Sequence, residues 1–195
     1  MMALEIRLIF SYISIFCSLI LVSSSKAQDF DWPSYGGDNG SSKYAPLSQI
    51  NAENVSRLVT AWEWESPDNA LVSDIIRDGG PMLRPGPFKA TPVVVDGSMY
   101  LPTTYGQIVS LNPVSGQINW VFDTKTYEDG RPTNLGFNVR GVAYWDGGEE
   151  KRIFFATNNS YLWSIDSTTG IPDSGFGNDG KIDLTLGLGR PVDRG

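Results

Sequence analysis

The sequence predicts an all-β protein built from repeated four-stranded antiparallel units, and two observations support this fold class. First, similar turns close two units, at residues 111–120 and 165–171, with Asn112 and Asp166 lying 54 residues apart. Second, 21 glycines and 12 prolines separate short apolar runs. A repeat of roughly 40 to 50 residues made of short strands is typical of a β-propeller blade. An ordinary antiparallel sandwich with similar turns is the alternative.

The first unit divides into four strands. A β-branched run over residues 91–95 ends at Asp96-Gly97, a strong hairpin signal, and residues 98–103 return alongside it. Residues 107–111 and 117–122 alternate polar and apolar side chains, as half-buried strands do. The unit is therefore a predicted four-stranded meander, which is the content of one blade.

The second unit repeats this pattern less completely. Strands are predicted over residues 141–145, 152–157 and 161–165, with a turn around Gly147-Gly148 between the first two. No convincing amphipathic helix is found in residues 28–195, and residues 52–58, before the first unit, are the only short candidate. Because a propeller closes with about four to eight blades, we expect residues 28–195 to be the N-terminal part of a longer propeller domain.

Residues 1–27 read as a targeting signal outside the fold. Arg7 gives a weakly basic start, residues 8–22 are apolar, and Ser25-Lys26-Ala27 offers small residues at a cleavage site. We therefore predict cleavage before Gln28 and export to a bacterial periplasm. The alternative is that the apolar run stays uncleaved and anchors the protein to the membrane.

Composition excludes several classes of site from this stretch of chain. There is no histidine, so a Ser-His-Asp triad and a histidine-ligated zinc or haem are ruled out here. The single cysteine, Cys17, lies in the predicted signal, so the exported chain has no disulfide. A net charge of −7 argues against nucleic acid as a partner.

Six passages together resemble the pyrroloquinoline-quinone (PQQ) dependent dehydrogenases, in the branch of the quinoprotein glucose and alcohol dehydrogenases. They include an Asp-Trp-Pro-Ser-Tyr-Gly opening, an Ala-Thr-Pro strand start, a Gly-x-x-x-Trp turn and an Arg-Gly-x-Ala-Tyr-Trp passage. In this sequence the passages are residues 31–38, 44–51, 58–62, 88–97, 112–120 and 140–145. The resemblance implies an eight-bladed propeller with PQQ on its axis, paired with Ca²⁺.

The resemblance also implies an activity and site residues. It implies oxidation of an aldose sugar or an alcohol, with ubiquinone or a cytochrome as electron acceptor. Arg140 falls on the family's cofactor-binding arginine, and a guanidinium suits a carboxylate or quinone oxygen. The alternative for Arg140 is a structural ion pair. The family's Ca²⁺ ligands and catalytic aspartate lie in later blades, so neither is assigned within residues 1–195.

Three positions depart from the family pattern. Asn134-Leu135 stands where many alcohol-oxidising members carry adjacent cysteines, which favours the glucose dehydrogenase side. Lys89 stands where many relatives have Glu or Gln; it either binds a PQQ carboxylate as a point charge or is a solvated loop cation. Tyr105 stands near a histidine of the glucose dehydrogenases, which puts sugar specificity in doubt.

Other aromatic and acidic residues are predicted to be structural. Trp62, Trp120 and Trp163 are interpreted as packing between blades. Three turn aspartates are interpreted as caps of backbone amides: Asp96, Asp146 and Asp166. Two non-enzymatic readings stay open, a scaffold propeller of the outer-membrane assembly type and a sugar-binding propeller that has lost catalysis.

Overall fold

The computed structural model describes residues 30–72, 83–133 and 136–192. The predicted signal over residues 1–27 and the Asn134-Leu135 pair lie outside these ranges. The described chain forms two four-stranded antiparallel sheets, each with its strands in sequence order. The first sheet contains β1 Val93–Val95, β2 Ser98–Pro102, β3 Gln107–Leu111 and β4 Ile118–Asp123; the second contains β5 Ala143–Asp146, β6 Lys151–Ala156, β7 Tyr161–Asp166 and β8 Lys181–Asp183.

This strand order confirms the predicted meanders. No strand of the described residues passes from one sheet to the other, which distinguishes the arrangement from a Greek-key sandwich. The prediction missed β8, a three-residue strand that follows a long loop and pairs with the first half of β7. The short helix candidate at residues 52–58 contains a single 3-10 turn, Val55–Arg57. Residues 68–72 form a helical turn that the sequence pattern did not predict.

The pairing register places the strand ends of both sheets on two opposite sides of the sheet pair. We call these two sides the upper edge and the lower edge. The upper edge holds the β2–β3 turn at residues 103–106 and the β6–β7 turn at residues 157–160. The lower edge holds the β1–β2 turn at residues 96–97 and the β3–β4 and β7–β8 connections. Because β1 pairs antiparallel with β2, Val93 to Tyr100, the chain enters each sheet from the upper edge.

The main hydrophobic core lies between the two sheets. Tyr100 and Ile108 of the first sheet are buried in one cluster with Ile153 and Phe155 of the second. The rings of Phe122 and Trp163 meet edge to face across the sheets, with centroids 5.0 Å apart. Burying side chains of this size stabilises the pair by about 1.5 to 3 kcal/mol each. Trp163 therefore packs between the sheets, as predicted.

The segment before the first sheet packs on it at two places. Trp32 exchanges two backbone hydrogen bonds with Val94, at 2.6 and 2.9 Å, so it covers the free side of β1. Further on, the Trp62 indole N–H donates to the Pro113 carbonyl at 3.1 Å. A side chain at Gly116 would lie 2.6 Å from the Trp62 ring, so the ring rests directly on this glycine.

The same docking contact recurs between the two sheets. The Trp120 indole N–H donates to the Ser167 carbonyl at 3.0 Å, and Gly170 lies under the Trp120 ring. Both glycine turns have positive φ, 71° at Gly116 and 72° at Gly170. The predicted packing roles of Trp62 and Trp120 are confirmed. In the described ranges, no helix is long and apolar enough to cross a membrane.

Candidate cofactor edge

The two residues predicted to bind a cofactor lie at the upper edge. Lys89 precedes β1 and Arg140 precedes β5, and both strands begin at that edge. The Thr91 backbone N–H donates to the Arg140 carbonyl at 2.8 Å, which joins the two segments directly. Both cationic side chains are exposed. The structure therefore brings Lys89 and Arg140 onto neighbouring segments with their charges open to solvent.

Close backbone packing keeps these segments together. Gly86 lies so near the Phe137 carbonyl that a Cβ atom at residue 86 would overlap it. A Cβ at Gly141 would lie 3.4 Å from the Thr91 carbonyl. Segments 83–91 and 136–141 thus run against each other before they enter their sheets.

Ion pairing does not account for either cation in the described part of the chain. Its salt bridges involve Lys125, Lys151 and Arg152, and none joins Arg140 or Lys89 to a carboxylate. The structural ion pair considered for Arg140 is therefore not formed by the described residues. Exposed cations on joined segments, unpaired with carboxylates of the described residues, suit an anion.

A buried polar cluster lies beneath this edge. Asp68 is only 4% exposed, and its carboxylate accepts three hydrogen bonds. The Thr104 hydroxyl donates at 2.8 Å, the Tyr105 backbone N–H at 3.1 Å and the Gln107 side-chain amide at 2.8 Å. These three donors belong to the β2–β3 turn and the start of β3. Asp68 therefore ties the helical turn at residues 68–72 to the upper edge of the first sheet.

Tyr105 is completely buried at the tip of that turn. Its hydroxyl donates to the Leu83 carbonyl at 2.8 Å, and its ring meets Phe137 edge to face at 4.9 Å. Burial raises the pKa of the Tyr105 hydroxyl, and the negative charge of Asp68 raises it further. A fully buried, hydrogen-bonded phenol is not free to meet a substrate.

The equivalent turn of the second sheet holds a different group. Asn159 occupies the place of Tyr105, and its amide donates to Asp129 at 2.6 Å. The Asn159 amide oxygen accepts from the Thr157 hydroxyl at 2.5 Å. Thr157 repeats Thr103 of the first sheet, but the turn tips have diverged. At the upper edge the turn backbone thus repeats, and the side chains at the turn tips differ.

The turn aspartates at the lower edge are only partly as predicted. Asp146 accepts from the Gly148 N–H, and Asp166 from the N–H groups of Thr168 and Thr169, so both cap their own turns. The interpretation of Asp96 was wrong. Its carboxylate accepts from the Tyr144 hydroxyl and the Lys151 ammonium, both at 2.7 Å, across the gap between the sheets.

With this geometry established, sequence comparison identifies the family. The family model for the PQQ glucose/ethanol/alcohol dehydrogenase β-propeller domain matches residues 32–195. The chain belongs to this family. It is 31% identical over 175 residues to a quinoprotein glucose dehydrogenase of Gluconobacter oxydans, covering 80% of this chain and 20% of that protein. It is 30% identical over 146 residues to the dehydrogenase subunit of a quinone-type alcohol dehydrogenase from the same organism, covering 72% and 16%.

Solved structures agree with the family assignment. A quinohemoprotein alcohol dehydrogenase from Pseudomonas putida HK5 superposes with a TM-score of 0.60 and 26% identity, covering 80% of this chain and 19% of that one. The two sheets are therefore blades of a PQQ-type β-propeller, as the sequence predicted. The chain spans about a fifth of the length of the relatives it matches.

The upper edge fits the cofactor of this family. PQQ carries carboxylates and quinone oxygens, which are the groups that a guanidinium and an ammonium bind. The exposed Lys89 and Arg140 lie on segments joined by a backbone hydrogen bond, and they supply cations of this kind at the upper edge. Within the described ranges, no group of three or more acidic or cysteine side chains is arranged to hold a metal ion.

Sequence reasoning missed Asp68 and the burial of Tyr105. The Ser66-Pro67-Asp68 run shows at most that a helical turn could begin there. Nothing in the sequence links its carboxylate to a turn 36 residues further on. The one signal in the sequence is the polar Thr-Thr-Tyr-Gly-Gln turn at residues 103–107. Its polar groups need hydrogen-bond partners from elsewhere in the chain if the turn is buried.

Proposed function

We propose that this chain is the first part of a PQQ-dependent dehydrogenase that oxidises an aldose sugar or an alcohol. The observation that carries the proposal is the backbone hydrogen bond that holds the Arg140 segment against the Lys89 segment at the upper edge. The named activities of the related glucose and alcohol dehydrogenases support the same substrate classes. The electron acceptor is either a quinone or a cytochrome.

In this proposal Arg140 is the principal cofactor residue. PQQ, when bound, accepts two electrons from the substrate. The Arg140 guanidinium would hold a carboxylate or quinone oxygen of PQQ through its paired N–H donors, and it stays charged at every physiological pH. Lys89 adds a point charge that attracts a second carboxylate. By family resemblance, Ca²⁺ and the catalytic aspartate base are supplied from beyond residue 195.

Titration of PQQ into the intact apoprotein with Ca²⁺ tests this assignment. Arg140→Ala removes a charge-assisted contact of about 1.5 to 3 kcal/mol, so we expect the Kd to rise roughly 10- to 150-fold. Arg140→Lys should lose much of the same affinity because an ammonium lacks the paired donors. Arg57→Ala, an exposed arginine on the Val55–Arg57 turn, is the control for simple loss of charge and should bind normally.

The outcomes separate the possible functions. Equal PQQ affinity of wild type and Arg140→Ala would remove Arg140 from the site. No PQQ binding by the wild-type protein would contradict the dehydrogenase proposal and favour a non-catalytic propeller.

We further propose that the protein is exported to the periplasm, either free or held at the membrane. The basic start, the apolar run and the small residues before Gln28 support this. N-terminal sequencing of the protein expressed in a secreting bacterial host should give a chain that begins at Gln28. A membrane-bound protein that retains Met1 would instead indicate an uncleaved anchor.

A further inference from the structure

We propose that Asp68 is a positioning residue for Arg140, acting through the buried Tyr105 turn. The inference rests on the proposed PQQ site, because it concerns how that site is held in shape. Asp68 itself is buried and its oxygens are occupied, so it has no direct contact to offer a cofactor.

The first step is the fixing of the β2–β3 turn. A buried carboxylate is costly unless hydrogen bonds satisfy it, and here three neutral donors do so. Two of the donors, the Thr104 hydroxyl and the Tyr105 N–H, meet the same Asp68 oxygen, Oδ2. Gln107 binds the other oxygen from the start of β3. The turn is therefore clamped on both sides of Tyr105.

The second step carries this constraint to the cofactor segments. The Tyr105 hydroxyl donates to the carbonyl of Leu83, which lies in the same segment as Lys89. Its ring supports Phe137, three residues before Arg140. Phe137 is 1% exposed and lies directly against Gly86 of the first segment. Movement of the Tyr105 ring would thus displace both segments, with the shorter path leading to Arg140.

The third step is that the Tyr105 ring is not a requirement of the repeat. In the second sheet, Asp129 of the 3-10 turn Thr126–Asp129 accepts a hydrogen bond from Asn159, which replaces Tyr105, so a carboxylate bonded to this turn occurs in both sheets. That sheet keeps the same strand order without a buried aromatic ring at the turn. Blade formation accounts for a carboxylate at this turn but not for the buried Tyr105 ring that Asp68 holds in place. Support for a binding residue does account for it, because bound geometry must be held by a surrounding layer of packed and bonded residues.

The test measures PQQ affinity of the intact apoprotein by calorimetric titration, with melting temperature recorded for each variant. Asp68→Asn keeps the shape but puts an amide where one donor needs an acceptor, and we expect the Kd to rise about tenfold. Thr104→Val is the milder variant, in case Asp68→Asn does not fold, with an expected rise of about threefold. Thr104→Ser keeps the hydroxyl that donates to Asp68, so this variant should bind PQQ with wild-type affinity.

Two comparisons distinguish positioning from general stability. Trp120→Phe removes one hydrogen bond at the lower edge, so it should lower the melting temperature and leave the Kd within about twofold of wild type. In an Arg140→Ala background, Asp68→Asn should add less than about a twofold change, since residues that act as one unit are not additive.

Each other outcome counts against a specific claim. Equal losses of affinity in Asp68→Asn and Trp120→Phe would overturn the inference. A tenfold rise of the Kd caused by Asp68→Asn in the Arg140→Ala background would overturn it as well. So would wild-type affinity in both Asp68→Asn and Thr104→Val, while Arg140→Ala still weakens binding. A wild-type protein that does not bind PQQ would overturn the proposed function, and this inference with it.

Discussion

The two edges of the sheet pair are built in different ways. At the lower edge the same contact occurs twice, a tryptophan lying on a glycine of the next turn and bonding to a nearby carbonyl. At the upper edge the corresponding turns keep the same backbone hydrogen bonds but differ in the side chain at the tip, which is Tyr105 in the first sheet and Asn159 in the second. The repeated edge assembles blades, and the divergent edge is where individual residues can serve binding.

The repeated tryptophan–glycine contact stabilises the sheet pair in three ways. The Trp120 ring is partly removed from water, its N–H is satisfied by Ser167, and the lack of a side chain at Gly170 allows the ring to approach the backbone. Each effect alone is modest, but all three are lost when the turn changes. Substitutions in this contact at the lower edge should therefore reduce stability more than substitutions at the upper edge.

The largest expected effect on stability comes from Gly170→Ala. The residue has φ of 72°, and the added Cβ would lie 2.6 Å from the Trp120 ring, so we expect a loss of about 2 to 3 kcal/mol. Gly97→Ala is a matched control with φ of 71° and nothing within 4 Å of the added atom. It should lose only about 1 kcal/mol, from backbone strain. Melting of the two variants by calorimetry checks the difference.

Equal losses in Gly170→Ala and Gly97→Ala would contradict the docking account. Strain at positive φ would then explain both variants, and the Trp120 contact would contribute nothing measurable.

The lower edge was the more predictable one for a physical reason. Strand alternation and turns that begin with Asn or Asp and end with Gly four residues later are local patterns, and their recurrence 54 residues apart shows which positions are equivalent. The strands from β1 to β4 and the roles of Trp62 and Trp120 were found in this way. The three-residue β8 was missed because so short a strand after a long loop has no periodicity to detect.

The upper edge could be predicted only at Arg140 and Lys89, through their resemblance to a family pattern. Asp68 was missed because its three partners lie more than 35 residues away and none is charged. Tyr105 was identified as a departure from the family, but its burial depends on Leu83 and Phe137, which come from two other segments. Contacts between distant, non-repeating segments leave no pattern in a single sequence.

Asp96 is an exception to the regularity of the lower edge. Its counterpart Asp146 caps its own turn, whereas Asp96 reaches the second sheet and binds Tyr144 and Lys151. The Lys151 ammonium and the Tyr144 hydroxyl hold the pKa of Asp96 below its ordinary value of 3.8. Burial and the bond to Asp96 raise the pKa of the Tyr144 hydroxyl. The contact is largely exposed, with 51% of the Asp96 side chain accessible, so its contribution is small.

The smallest expected effect is accordingly a dependence of stability on acid pH. Because the pKa of Asp96 is lower in the folded protein, its stabilisation is present above 3.8 and is lost as pH falls through the folded value. The melting temperature of Asp96→Asn should therefore lie slightly below wild type at pH 6, and the gap should close towards pH 3. Asp146→Asn keeps an oxygen acceptor for Gly148 and should show a smaller gap. Calorimetric melts across this pH range measure the difference in melting temperature between each variant and the wild type. The other carboxylates titrate in both proteins, so their contribution cancels in this difference. A gap for Asp96→Asn that persists unchanged at pH 3 would mean that its charge does not join the sheets.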